Sequence, residues 1–251
     1  MAETPARIES ASTVPARIWE IDFLRGLAIL LMLLYHAGFD LTELAGIRRA
    51  FGIVWDLNRP GFQIAVVVFA GLFILLCGIS STLTRSNFRR GWRLLAVAAL
   101  VTAASFLFNR EETIYFGILH CLGVCILIYG AAFQNAKPRL LAEVGLFVVG
   151  LSFALPALLR GTPVRFNWLA PFGIISDTFS SFDYFPLLPW FGIFLIGAAL
   201  GKTLYAGKRS LVRRTMPANV INFAGRHTLL IYVIHQPVFL AILFVLGRIK
   251  L

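Results

Sequence analysis

Residues Arg17 to Asp40 read R-I-W-E-I-D-F-L-R-G-L-A-I-L-L-M-L-L-Y-H-A-G-F-D. The stretch is long enough to cross a bilayer as a helix, yet it carries Glu20, Asp22, Arg25 and His36 within that length. Ionisable side chains inside a membrane helix are costly, so they face the protein interior and mark function. Steps of three and four residues from Asp22 through Arg25, Ile29 and Met32 to His36 keep to one helix face. That face is polar at both ends and apolar between them. From Arg25 to His36 the rise is roughly 16 Å, about half the hydrocarbon thickness. One helix can thus present a charged group near one membrane surface and a reactive group nearer the other.

Composition extends the membrane reading to the whole chain. Of 251 residues, 59% are hydrophobic and only 14% charged, with a mean hydropathy of +0.81. Apolar runs near spanning length recur, and the alternating pattern of a membrane β-barrel does not. The expected fold is an all-α polytopic helix bundle of about seven spans. These run from Ile18 to Phe39, Gly61 to Leu83, Trp92 to Phe108, Ile114 to Phe133, Leu140 to Leu158, Pro186 to Leu204 and His227 to Leu246. A short interfacial helix is expected between Asp40 and Pro60. Residues 1–17 read as a disordered cytoplasmic tail and 18–251 as one transmembrane domain. The first hydrophobic segment carries acids and no small-residue cleavage site, so it reads as a span, not a cleaved leader.

The formal charge of +11 does not point to nucleic acid, because Lys and Arg cluster between spans. With the amino terminus inside, fifteen basic residues fall on the cytoplasmic side and eight outside. The positive-inside rule then places Arg25 toward the cytoplasm and His36 toward the outer face. Cys77, Cys121 and Cys125 lie in apolar runs and read as small hydrophobes. Gly192, Gly197 and Gly201 read as close helix contacts and not as phosphate binders.

Among the ionisable residues, His36 is the expected catalytic group, either as a general base or through a transient acyl-imidazole. Asp40, one turn further on, is expected to accept from Nδ1 and leave Nε2 free. Asp22 is spaced to pair with Arg25, whose guanidinium suits an anionic group such as a phosphate. His120 and His235 are candidates to line the same cavity, His235 beside a kink expected at Pro237. Asp183 is a candidate for closing the substrate mouth at the outer end of the sixth span. Arg85, Arg89, Arg90, Arg93 and Arg213 are candidate phosphate contacts.

Five blocks, taken in order, resemble one family. They are Arg17 to His36, F-I-L-L-C-G-I-S-S-T-L-T-R (Phe73 to Arg85), Y-F-G-I-L-H-C-L-G (Tyr115 to Gly123), D-Y-F-P-L-L-P-W-F-G-I-F-L-I-G (Asp183 to Gly197) and R-H-T-L-L-I-Y-V-I-H-Q-P (Arg226 to Pro237). Together they resemble the bacterial relatives of heparan-α-glucosaminide N-acetyltransferase, within a wider superfamily marked by an Arg and a His eleven residues apart on the first helix. Arg25 and His36 have that spacing. The resemblance implies acyl transfer from cytoplasmic acyl-CoA, with acetyl-CoA as the expected donor, to an acceptor at the outer face of the bacterial cytoplasmic membrane. It puts His36 in the position of the catalytic histidine. The expected partners are membrane lipid, acyl-CoA and a glycan or other small acceptor, with no nucleic acid and no metal; a homo-oligomer is compatible with the sequence. Two other classes fit the same residues: a carrier or flippase that uses them as a polar pathway without chemistry, and a haem protein with two of His36, His120 and His235 as axial ligands.

Overall fold

The computed structural model describes residues 18–50, 52–56, 59–160, 163–212 and 219–249. The amino-terminal tail and Arg213 lie outside these residues. Among these residues eight α-helices form the bundle: α1 Trp19–Phe39, α2 Pro60–Leu83, α3 Asn87–Phe108, α4 Ile118–Ile128, α5 Pro138–Leu158, α6 Leu187–Leu204, α7 Val220–Arg226 and α8 Thr228–Val245. α1 continues through a π-helical turn, Asp40–Leu44, and α4 through another, Tyr129–Phe133. Six of these helical segments are long and apolar enough to cross a membrane, and α4 with its π turn is a shorter apolar helix. The protein is a multi-pass membrane helix bundle. Large apolar side chains cover its outer surface, among them Leu107 at 85% exposure and Phe153 at 79%, as a lipid-facing surface requires.

The core lies where α2, α4 and α6 meet, around Ile74, Cys121, Cys125, Tyr129, Phe194 and Leu195. The three cysteines are free and buried there. Small residues set the helix spacing: a Cβ on Gly197 would meet the backbone of Leu75, and one on Gly192 would lie 2.6 Å from the Gly145 carbonyl oxygen. Such close approach is the usual basis of helix association in lipid. Lys202, in the last turn of α6, donates to the Gln134 and Ala136 carbonyls at 2.6 and 2.7 Å and so satisfies acceptors left free at the end of the α4 segment.

Three features depart from the sequence-based expectations. Among its described residues, the stretch from Asp40 to Pro60 forms no separate interfacial helix. After the π turn comes a hairpin pairing Arg49–Ala50 with Ile53–Val54, and Trp55 then packs on α1 where Gly38 leaves room for its ring. The fourth helix begins at Ile118, not Ile114, because the residues before it are extended: Phe116 and Tyr184 form a parallel bridge, and Phe185 N donates to Phe116 O at 2.9 Å. Finally, α7 was not foreseen. Asn219 caps it by accepting from Asn222 N at 2.8 Å, and it lies across the start of α1. There a Cβ on Gly26 would strike the Ile221 carbonyl and one on Gly225 the Asp22 carbonyl.

Candidate active site

Two neighbouring cavities share the α1 face foreseen from the spacing. The first, of about 560 Å³, is lined by Arg25, Arg89, Arg90, Arg93 and Arg226, together with Ser80, Thr84 and Ser86. The second, of about 310 Å³, is lined by Ile29, Met32, Tyr35 and His36 of α1, and by Phe69, Ile118, Asp183, Tyr184 and Trp190. Phe73 and Tyr232 belong to the walls of both. Successive turns of α1 therefore supply Arg25 to the basic cavity and Ile29, Met32 and His36 to the apolar chamber.

The basic cavity is built on the end of α2. Arg25 donates through Nη2 to Ser80 Oγ, and Ser80 in turn donates to the Leu76 carbonyl at 2.6 Å. Arg90 donates to Ser81 Oγ at 3.3 Å and to Cys77 Sγ at 3.1 Å. The paired Asp22 and Arg25 foreseen from sequence are present at 3.6 Å, and Arg226 from α7 reaches the other Asp22 oxygen at the same distance. One carboxylate thus serves two of five guanidiniums, and the cavity carries a net positive charge suited to a polyanion. Arg85 is exposed and lines neither cavity. Sequence reasoning counted Arg226 among the cytoplasmic basic residues and did not single it out as a phosphate contact. It also missed Ser80, whose signal was a Ser-Ser pair at the end of an apolar span.

In the chamber, Asp183 is held from two directions. Its Oδ2 accepts from the Ile118 backbone N–H at 2.9 Å and from the Tyr232 hydroxyl at 3.1 Å. It therefore caps α4 from a distant loop, where a negative charge is favoured by the helix end. Gly117 allows this, since a Cβ there would collide with the carboxylate. Burial pushes the Asp183 carboxyl above the usual carboxylate range, opposed by these two donors. Tyr184 donates to the Ala170 carbonyl at 2.7 Å, and burial pushes its phenol up to about 12.

The histidines divide. His36 lines the chamber, and His235 of α8 packs behind it at 4.9 Å between ring centroids. His120 lines neither cavity. It lies between α3 and α4, with Nε2 3.3 Å from Thr102 Oγ1. The Thr102 hydroxyl donates to the Ile114 carbonyl at 2.6 Å, so His120 is the donor to Thr102. Asp40 does not receive His36 in the way the helical spacing suggested. Its Oδ1 accepts from Gln236 Nε2 at 2.8 Å, because α8 brings an amide across to α1. α8 runs unbroken through Pro237.

The His36 and His235 rings are too close to admit a haem plane between two axial nitrogens, and His120 is engaged elsewhere. Among the described residues no group of three or more His, Cys, Asp or Glu is arranged to hold a metal ion.

No curated protein and no solved structure matches the chain. The family model described as "Heparan-alpha-glucosaminide N-acetyltransferase, catalytic" matches residues 17–237, a range that takes in both cavities. The chain belongs to the heparan-α-glucosaminide N-acetyltransferase catalytic family and is a membrane acetyltransferase.

Proposed function

We propose that this protein transfers an acyl group, with acetyl as the first choice, from cytoplasmic acyl-CoA to a hydroxyl or amine of a glycan or other small acceptor on the opposite side of a bacterial cytoplasmic membrane. The observation that carries the proposal is the pair of cavities on one face of α1, meeting at Phe73 and Tyr232. Acyl-CoA is an anionic nucleotide on a long thin arm that ends in a thioester. Five arginines suit the phosphates, and the apolar chamber suits the arm. The amino terminus is then cytoplasmic, as the distribution of basic residues favours.

His36 is the base. It takes the proton of the acceptor as the acceptor oxygen or nitrogen attacks the thioester carbonyl. When the tetrahedral intermediate collapses, the carbon–sulfur bond breaks. The proton then passes from the imidazolium to the departing CoA thiolate, giving free CoA and the acylated acceptor. Arg25, held by Asp22 and Ser80, positions the donor, and Asp183 with Tyr232 holds the chamber wall near the acceptor.

The test is release of free thiol from acetyl-CoA by the purified protein in detergent, with and without an envelope extract as acceptor source. Acceptor-dependent release that disappears in His36→Ala, with the variant still folded, is the expected result. No release from several acyl-CoAs by folded wild type would favour a carrier, which would move its substrate across liposomes without consuming thioester. Full activity in His36→Ala would remove His36 from the chemistry, and acetyl-labelled His36 in a quenched reaction would replace the general base with a covalent acyl-imidazole.

A further inference from the structure

Gln236 and Asp40 tie the middle of α8 to the end of α1 through their 2.8 Å bond. His235 is the residue before Gln236, and His36 lies one turn before Asp40, so the same tie sets the two imidazoles side by side. Their centroids are 4.9 Å apart with 59° between the planes, so the rings are neighbours, and a turn of either ring is what a bond between their nitrogens requires. His235 Nδ1 lies 2.5 Å from the Tyr232 carbonyl oxygen. A carbonyl only accepts, so Nδ1 carries the hydrogen and, in the neutral ring, the lone pair stands on Nε2. That Nε2 is buried and has no hydrogen-bond partner. A buried acceptor left unpaired is unfavourable unless a donor reaches it. His235 lines neither cavity, whereas His36 lines the chamber.

We propose that His235 is the positioning residue for His36: its Nε2 lone pair receives a ring N–H of His36, and this directs the other His36 nitrogen, as a lone pair, into the chamber. The proposal rests on the acyl-transfer function given above and adds the group that orients its base. Sequence spacing assigned that task to Asp40. The fold gives Asp40 to Gln236 and leaves His235 as the ring behind the base. Orienting partners of this kind fix both tautomer and ring direction of metal-bound imidazoles, where their loss costs about 10–100-fold in metal affinity or activity, and that range is taken as the scale for His36.

The experiment compares His235→Phe and His235→Gln with wild type and His36→Ala, each purified in detergent and shown to be folded by its melting temperature. Phenylalanine keeps an aromatic ring and removes the acceptor, whereas glutamine offers an amide oxygen where Nε2 accepts. His235→Phe should lower kcat by roughly 10–100-fold at an unchanged KM for acetyl-CoA, and His235→Gln should recover most of that loss. Full activity in His235→Phe, no recovery in a folded His235→Gln, or an effect confined to KM would overturn the assignment. A second readout needs no turnover. With ¹⁵N-labelled histidine, nitrogen–nitrogen coupling through an N–H···N bond between His36 and His235 is expected in wild type and absent in His235→Phe. Lack of that coupling in folded wild type overturns the pair and leaves the transfer proposal standing, whereas coupling in a protein that consumes no acyl-CoA strikes the transfer proposal.

Discussion

The Tyr232 hydroxyl donates to Asp183 Oδ2 at 3.1 Å, and the Tyr232 side chain lines both the arginine cavity and the His36 chamber. One residue of α8 thereby joins the wall between two compartments to the carboxylate that caps α4. Phe73 stands in the same walls. Passage between the arginine cavity and His36 depends on how these two side chains sit.

Tyr232→Phe keeps the ring and deletes this bond. Asp183 retains its Ile118 N–H, so the expected loss is about 1 kcal/mol of stability. A looser wall should also raise acyl-CoA hydrolysis in the absence of acceptor. Thermal unfolding and acceptor-free thiol release measure the two effects, and an unchanged melting temperature would show that the bond adds nothing net.

Asp183 also gives the protein a pH-dependent stability. Its folded-state value is raised by burial, so between the unfolded and folded values the folded protein binds more protons than the unfolded chain. Stability therefore falls as pH rises through that window and is greatest below it. Melting temperatures in detergent should drop as pH is raised from about 4, and Asp183→Asn should flatten that part of the profile. A wild-type profile that climbs with pH across the window would contradict the shift.

The arginine cavity should show itself in donor binding. Removing a charge-assisted contact is worth about 1.5–3 kcal/mol, so Arg25→Ala should raise KM for acetyl-CoA by roughly 10–100-fold, with a smaller change in kcat. Because recognition of phosphates by arginines is electrostatic, added salt should weaken donor binding in wild type. Unchanged KM in Arg25→Ala removes that residue from donor recognition.

The crossing of α1 and α7 should tolerate no side chain. In Gly26→Ala the new methyl meets the Ile221 carbonyl, and in Gly225→Ala it meets that of Asp22. Backbone cannot yield as a flexible side chain does, so each should cost at least 1–3 kcal/mol. Each should also disturb the Asp22–Arg226 contact and hence donor binding. Gly150→Ala on α5 has nothing within 4 Å of the added carbon and should be neutral or stabilising by about 0.5–1 kcal/mol. Expression and melting temperature of the three variants provide the comparison.

The membrane bundle, most span positions and the face of α1 that lines the two cavities were legible in the sequence. Hydropathy over twenty residues and the 3.6-residue period are properties of contiguous chain, and they placed Arg25, Ile29, Met32 and His36 on one face without reference to any other helix. The Asp22–Arg25 pair was legible for the same reason, being one helical turn apart. Tertiary structure alone decided that Asp40 belongs to Gln236, 196 positions away, that Asp183 caps a helix 65 positions before it, that His120 faces Thr102, and that His235 stands behind His36. A bilayer strongly disfavours unpaired polar groups, but that demand does not name the partner. Which donor meets which acceptor is fixed only when glycine contacts and the tie between α1 and α8 set the helices in register.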